Sequence, residues 1–301
     1  MGESKEMTEI AGEFPDIAFI GFGEAGHALA SSWMRPERGT TTAYDIKLQD
    51  AATAGLVLER CADASVEPQA EPVAALEKAG LVFSLVTADQ ALEAARACAS
   101  HLAPGTLWLD GNSCAPQTKQ KAAEVIEAAG GRYVDVAIMA PVYPKRHEVP
   151  LLLAGPHAAS AAACIERLGM RPRLAGERVG DASSVKMLRS VMIKGLEALT
   201  TECLLAARRA GVEEAVLASL QASDPGIDWR ARGAYNMERM LVHGARRAAE
   251  VEEVCVTLRA FSLPDWMSRG TVEWQRRLAS LEIDPGEDDL AKRADAVLSK
   301  L

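Results

Sequence analysis

Four apolar residues, Ile17-Ala18-Phe19-Ile20, run directly into Gly21-Phe22-Gly23-Glu24-Ala25-Gly26, and an alanine-rich segment follows. A strand, a G-x-G-x-x-G loop and a helix in that order form the opening of a βαβ unit that holds an anion at the helix N-terminus. Gly21 permits the tight turn, Gly23 lets the backbone approach a pyrophosphate, and Gly26 lets helix and strand pack closely. Phe22, Glu24 and Ala25 complete the same cradle. A second strand, Thr41 to Tyr44, ends in Asp45, nineteen residues past Gly26, where a carboxylate accepts from a ribose hydroxyl. A tight turn and a helix-capping Asp are the bland alternative, and the spacing favours a dinucleotide. Asp45 repels a 2′-phosphate, so NAD is expected over NADP, although Lys47 keeps NADP open.

The rest of the N-terminal half repeats the alternation. Short apolar runs at Ile17 to Ile20, Thr41 to Tyr44, Leu81 to Val86, Thr106 to Leu109, Tyr133 to Ile138 and Leu151 to Ala154 are separated by helical stretches and turns. Several runs are too apolar to face water on either side, which predicts a parallel sheet covered by helices on both faces. Near residue 183 the strands stop. The spacing predicts one long helix over 185–211, then helices at about 213–222, 230–261 and 264–281, and a short last helix after the polar break IDPGEDD. The expected organisation is a flexible N-terminus over 1–14, a dinucleotide-binding domain over 15–183 and an all-helical substrate and dimerisation domain over 184–301.

Composition narrows the partners. The 301 residues include 33 basic and 42 acidic side chains, a formal charge of −9, which argues against nucleic acid. No apolar run reaches the roughly 18 residues of a membrane span, and the polar start MGESKEMTEIAGE lacks the features of a signal peptide. Six scattered cysteines fit reduced thiols in the cytoplasm, with neither a disulfide framework nor a metal site. His27, His101, His147 and His157 have no metal or triad spacing and read as surface or cap residues. The partner to look for is a small molecule.

The loop GFGEAG, the strand VFSLVT, the segment LDGNS, the strand YVDVAIM and the helix start GDASSVKMLRS stand in the same order as motifs of the 6-phosphogluconate dehydrogenase and 3-hydroxyacid dehydrogenase superfamily. The chain resembles that superfamily over roughly residues 15–200, and beyond them it resembles a branch with a divergent C-terminal domain. The resemblance implies a doubly wound α/β Rossmann sheet followed by an all-α domain that interlocks with a second copy as a homodimer. It implies NAD(P)-dependent oxidoreduction of a hydroxyacid or related carbonyl, with Lys186 as the catalytic acid and base. A partly buried lysine suits that role because desolvation lowers its pKa; an exposed helix lysine is the alternative.

Three departures bear on the substrate. Ser190 stands where the family carries an Asn that orients the substrate, and Lys194 follows two turns after Lys186. Ile193 replaces the Glu of the decarboxylating enzymes, so decarboxylation of 6-phosphogluconate is not expected. Asp135 to Pro141 stands in place of the D-A-P-V-S-G-G segment, with Met139 where a carboxylate-gripping donor is common. Asn112 and Ser113, after the strand Leu107 to Leu109, are candidates to bond substrate or carboxamide, or else caps of the next helix. Val86 and Thr87 are similar to the wall beside the adenosine and nicotinamide ribose. Arg239, His243, Arg246, Arg247 and Glu250 share one face of one helix, either facing an anionic substrate or forming a salt-bridged surface, and Tyr235 and Asn236 stand one turn earlier. Two rival readings remain: imine reduction on the same fold, and a dinucleotide-binding protein without turnover.

Overall fold

The computed structural model describes residues 14–34 and 39–301, so the expectation for the N-terminus falls outside the described residues except at Phe14. The chain divides into two compact units between Lys186 and Met187.

The first unit contains β1 (Asp16–Ile20), α1 (Glu24–Ala30), β2 (Thr41–Tyr44), α2 (Ala51–Asp63), β3 (Glu67–Pro68), α3 (Pro72–Leu76), β4 (Ala79–Ser84), α4 (Ala91–Ala99), β5 (Leu107–Asp110), α5 (Pro116–Ala128), β6 (Arg132–Ile138), β7 (Leu151–Ala154), α6 (Ala158–Glu166), β8 (Pro172–Gly176) and the start of α7 (Asp181–Arg209). Among the described residues the strands form one sheet in the order β3-β2-β1-β4-β5-β6-β7-β8. Alternation along the strands sends Ile17, Phe19, Leu81, Phe83, Leu107 and Leu109 into one core, and Ala18, Ile20, Val82, Trp108 and Tyr133 into the other. Both faces are therefore buried, as the apolar runs require. Phe19 stacks against Trp33 and Phe83, with ring centres 5.5 and 5.3 Å apart.

Within the sheet, three details differ from the sequence expectation. β7 runs antiparallel to β6, because residues 139–150 join them without the crossover helix a parallel pair needs. β3 and β8 carry no strand signal in the sequence: β3 is two exposed residues at one edge, one of them Pro68, and β8 places the exposed Arg173 and Leu174 at the other. β4 ends at Ser84, so Val86 and Thr87 lie in the following loop.

α7 starts at Asp181, four residues before the expected start at Val185, and ends at Arg209. The second unit continues it with α8 (Glu213–Ser223), α9 (Trp229–Ala260), α10 (Trp266–Ala279) and α11 (Leu290–Leu298). Asp228 caps α9 by accepting from the Ala231 N–H at 3.0 Å. Leu204, Leu205, Met237, Met240, Leu278 and Val297 form its main core. A Cβ at Gly244 of α9 would collide with the Gln275 carbonyl, so glycine allows α9 and α10 their close approach. Among the described residues no helix is long and apolar enough to cross a membrane.

Candidate active site

The dinucleotide loop is built as the glycine spacing demands. Gly21 has φ +83°, and a Cβ there would lie 2.5 Å from the Leu85 carbonyl oxygen, so only glycine makes this turn. At Gly23 a Cβ would meet nothing within 4 Å, which leaves the N-terminal end of α1 open to a ligand. At Gly26 a Cβ would stand 3.0 Å from the Phe22 ring. Glu24, Ala25 and Gly26 occupy the first turn of α1, whose N–H groups have no intrahelical acceptor. Asp45 Oδ2 accepts from the Phe22 N–H at 2.8 Å, and Oδ1 accepts from the Lys47 N–H at 3.0 Å. These bonds lock the carboxylate beside the loop, and each oxygen keeps a lone pair for a ribose hydroxyl. The open cradle and the fixed acid fit a nicotinamide dinucleotide.

Beside this loop stands a second set of side chains. Lys186, partly buried, donates from Nζ to Ser113 Oγ at 2.6 Å. Asn112 is spent within the fold: its Oδ1 accepts from the Val86 N–H at 2.6 Å, and its Nδ2 donates to Ser84 Oγ at 3.0 Å. Neither Asn112 nor Ser113 caps α5, whose N-cap is Ala115. Thr87 is exposed and Val86 half-buried in the loop after β4. Met139, just past β6, packs against Ala137, Ala154 and Ala182.

The other candidates lie in the second unit. Lys194 is buried; its Nζ donates to Ser190 Oγ at 3.3 Å and pairs with Glu250 Oε2 at 2.8 Å. Burial pushes the Lys194 ammonium below the ordinary lysine value, and Glu250 pulls the other way. The residues expected on one face of α9 divide between the interior and the surface. Arg247 is buried in an ion pair with Glu197, whose Oε2 also accepts from Gln275 at 2.9 Å. Arg246 instead bonds Glu250 at 2.8 Å near the surface. Arg239 and His243 are half-buried; burial and then the nearby Arg239 and Arg246 push the imidazole of His243 below its ordinary value. Tyr235 faces out, while Asn236 is buried and donates to Thr200 Oγ1 at 2.8 Å.

Two arrangements escape sequence reading because their members come from separate strands, helices and loops that only the fold brings together. His27 on α1 lies between Asp63 Oδ2 at 2.7 Å and the Tyr143 hydroxyl at 3.0 Å, so it has partners that its spacing did not announce. Lys119 on α5 is wholly buried and donates to Asp110 Oδ1 at 2.9 Å, with Asp135 Oδ1 3.6 Å away. Burial opposes its charge, and the two carboxylates outweigh that, raising its pKa above the ordinary value. Among the described residues no group of His, Cys, Asp and Glu side chains is arranged to hold a metal ion.

Residues 16–163 match the family model for the NAD binding domain of 6-phosphogluconate dehydrogenase, and residues 207–278 match a domain of unknown function (DUF1932). A solved structure of a conserved hypothetical protein from Sinorhizobium meliloti 1021 is 36% identical, with 96% of this chain and 97% of that one covered and a TM-score of 0.76. A second, of a conserved protein of unknown function described as structurally similar to 3-hydroxyacid dehydrogenases, is 31% identical over 89% of this chain and 98% of that one, with a TM-score of 0.69. A 3-hydroxyisobutyrate dehydrogenase from Pseudomonas aeruginosa is 27% identical over 228 residues, 73% of each chain. With its Rossmann sheet, its glycine cradle and these relatives, the chain belongs to the 6-phosphogluconate dehydrogenase-like family of 3-hydroxyacid dehydrogenase-like proteins.

Proposed function

We propose that the protein is an NAD(H)-dependent oxidoreductase acting on a hydroxyacid or a related carbonyl, with Lys186 as general acid and base. The observation that carries this reading is the 2.6 Å contact between Lys186 Nζ and Ser113 Oγ beside the dinucleotide loop. When bound, the nicotinamide supplies a hydride acceptor at its C4, or a hydride donor in the reverse direction. Lys186 as a neutral amine takes the hydroxyl proton while the carbinol carbon gives up its hydride, and as an ammonium it returns that proton. Ser113 accepts one N–H of Lys186, which aims the amine, and its own hydroxyl hydrogen remains to bond the substrate oxygen. Met139 presents a thioether where a donor would grip a carboxylate, which favours a substrate less polar at that point. Asp45 favours NAD over NADP. Retention of Lys186 speaks against the imine-reducing and the non-catalytic readings.

We place the enzyme in the cytoplasm, where the thiols of its six cysteines, none of them in a disulfide, stay reduced. We also infer a homodimer. Val185, Leu188, Met192, Ile193, Leu196 and Leu199 along α7 are all exposed, between 40% and 62%. An exposed apolar set of this size along one helix marks a protein–protein surface.

The test is a panel of hydroxyacids, carbonyl compounds and imines assayed with NAD(H) and NADP(H), followed by absorbance of the reduced nicotinamide. Turnover of a hydroxyacid that disappears in Lys186→Ala supports the proposal. Turnover of imines alone, or none with any class, overturns it.

A further inference from the structure

Asp110 and Asp135 are register partners on the adjacent parallel strands β5 and β6, and both are wholly buried. Two carboxylates side by side in a core repel each other and lose their hydration. Lys119, reaching over from α5, answers both at once: its ammonium lies 2.9 Å from Asp110 Oδ1 and 3.6 Å from Asp135 Oδ1, and it also donates to the Asp110 carbonyl at 2.5 Å.

What each carboxylate does with its remaining lone pairs gives the cluster its meaning. Asp110 accepts from the Asn112 N–H at 2.9 Å and from the Tyr133 hydroxyl at 2.7 Å, which fixes the segment that ends in Ser113. Asp135 Oδ2 accepts from the Gly180 N–H, the Ser183 N–H and the Ser183 hydroxyl, each at 3.0 Å. This is an N-cap supplied from a distant strand, and it anchors the first turn of α7, which carries Lys186 three residues beyond Ser183. Ser113 and Lys186 thus stand at the ends of two separate chains of bonds that meet at one ammonium.

We propose that Lys119 is a positioning residue, which joins the buried carboxylates of Asp110 and Asp135 and thereby sets the contact between Ser113 and Lys186. The significance of that contact rests on the catalytic reading of Lys186 above; the positioning itself does not. A purely structural buried ion pair can be replaced by apolar groups with little loss. A positioning cluster cannot be altered without a change at Lys186.

The experiment reads Lys186 directly and needs no substrate. The full-length protein is acylated with trace acetic anhydride across a pH series. Mass spectrometry then gives the rate at Lys186 relative to the exposed Lys292, with Lys78 as a second reference. The variants are Lys119→Arg, Asp135→Asn and the double variant Lys119→Met with Asp135→Asn, which keeps the net charge of the cluster. We expect the relative rate at Lys186 to change by about threefold or more in each variant that keeps the native circular dichroism, the size expected for coupled members of one network, with Lys78 unchanged. An unaltered Lys186 profile in any folded variant overturns the proposal. So does loss of the fold in all three, since that outcome assigns the cluster to stability alone. Should the profile move as expected while Lys186→Ala keeps full turnover, the catalytic reading fails and the positioning stands.

Discussion

Lys186 and Ser113 meet at 2.6 Å although 73 residues separate them. The bond ties the first turns of α7 to the carboxyl edge of β5, where ligands sit in doubly wound sheets. Replacing Lys186 by Ala or Met should lower turnover by about 10² to 10⁴, the range for loss of a general acid or base, with little change in dinucleotide affinity. Ser113→Ala should act in the same direction and less. If Lys194→Ala abolished turnover while Lys186→Ala did not, the wrong lysine would have been assigned.

Asp45 is held by the Phe22 and Lys47 N–H groups at 2.8 and 3.0 Å. A 2′-phosphate beside it meets a fixed negative charge and loses the diol hydrogen bonds. NADH should therefore bind more tightly than NADPH in a fluorescence titration. Asp45→Ser should narrow or reverse the difference and also loosen the loop. Tighter NADPH binding by the unaltered protein would exclude this specificity.

The exposed apolar set on α7 leads to an expected mass in solution. Light scattering at micromolar concentration should give about twice the 32.1 kDa of one chain. Met192→Glu, at a position 62% exposed in the single chain, should return the mass to the monomer value. A monomer mass for the unaltered protein rules out the stable dimer.

Buried thiols in the first unit set a limit at alkaline pH. Burial pushes Cys98 up to about 12 and, with the negative charge of Asp45 as a lesser cause, Cys61 up to about 11, from an ordinary 9.0. Both folded values are raised, so the folded state keeps protons that the unfolded chain releases. The contribution is complete below pH 9.0 and is lost as pH climbs toward 11 and 12. The slope within that window is about 1.4 kcal/mol per pH unit for each thiol. Urea unfolding at pH 8 and pH 10.5 should show the loss, and Cys98→Ala should lessen it. An equal loss in the variant would assign it to other groups.

The sheet, the cradle and the long helix were legible in the sequence because each rests on local rules. Apolar runs of strand length and a glycine triplet at fixed spacing state backbone requirements over a few residues, and the helical period between Val185 and Gly211 located α7. Edge strands β3 and β8 were not legible: Glu67–Pro68 and the half-exposed β8 bury too little to leave an apolar signature. The antiparallel turn of β7 depended on the connection rather than on any strand residue. Only the tertiary structure decided that Arg247 turns inward to Glu197, that Asn112 holds the Val86 backbone, and that α7 begins at Asp181 under the carboxylate of Asp135. Lys119 is the clearest case. In the sequence it is one lysine in a polar helix start, and its charge acquires a purpose only when β5 and β6 bring two carboxylates together in a core from which water is excluded.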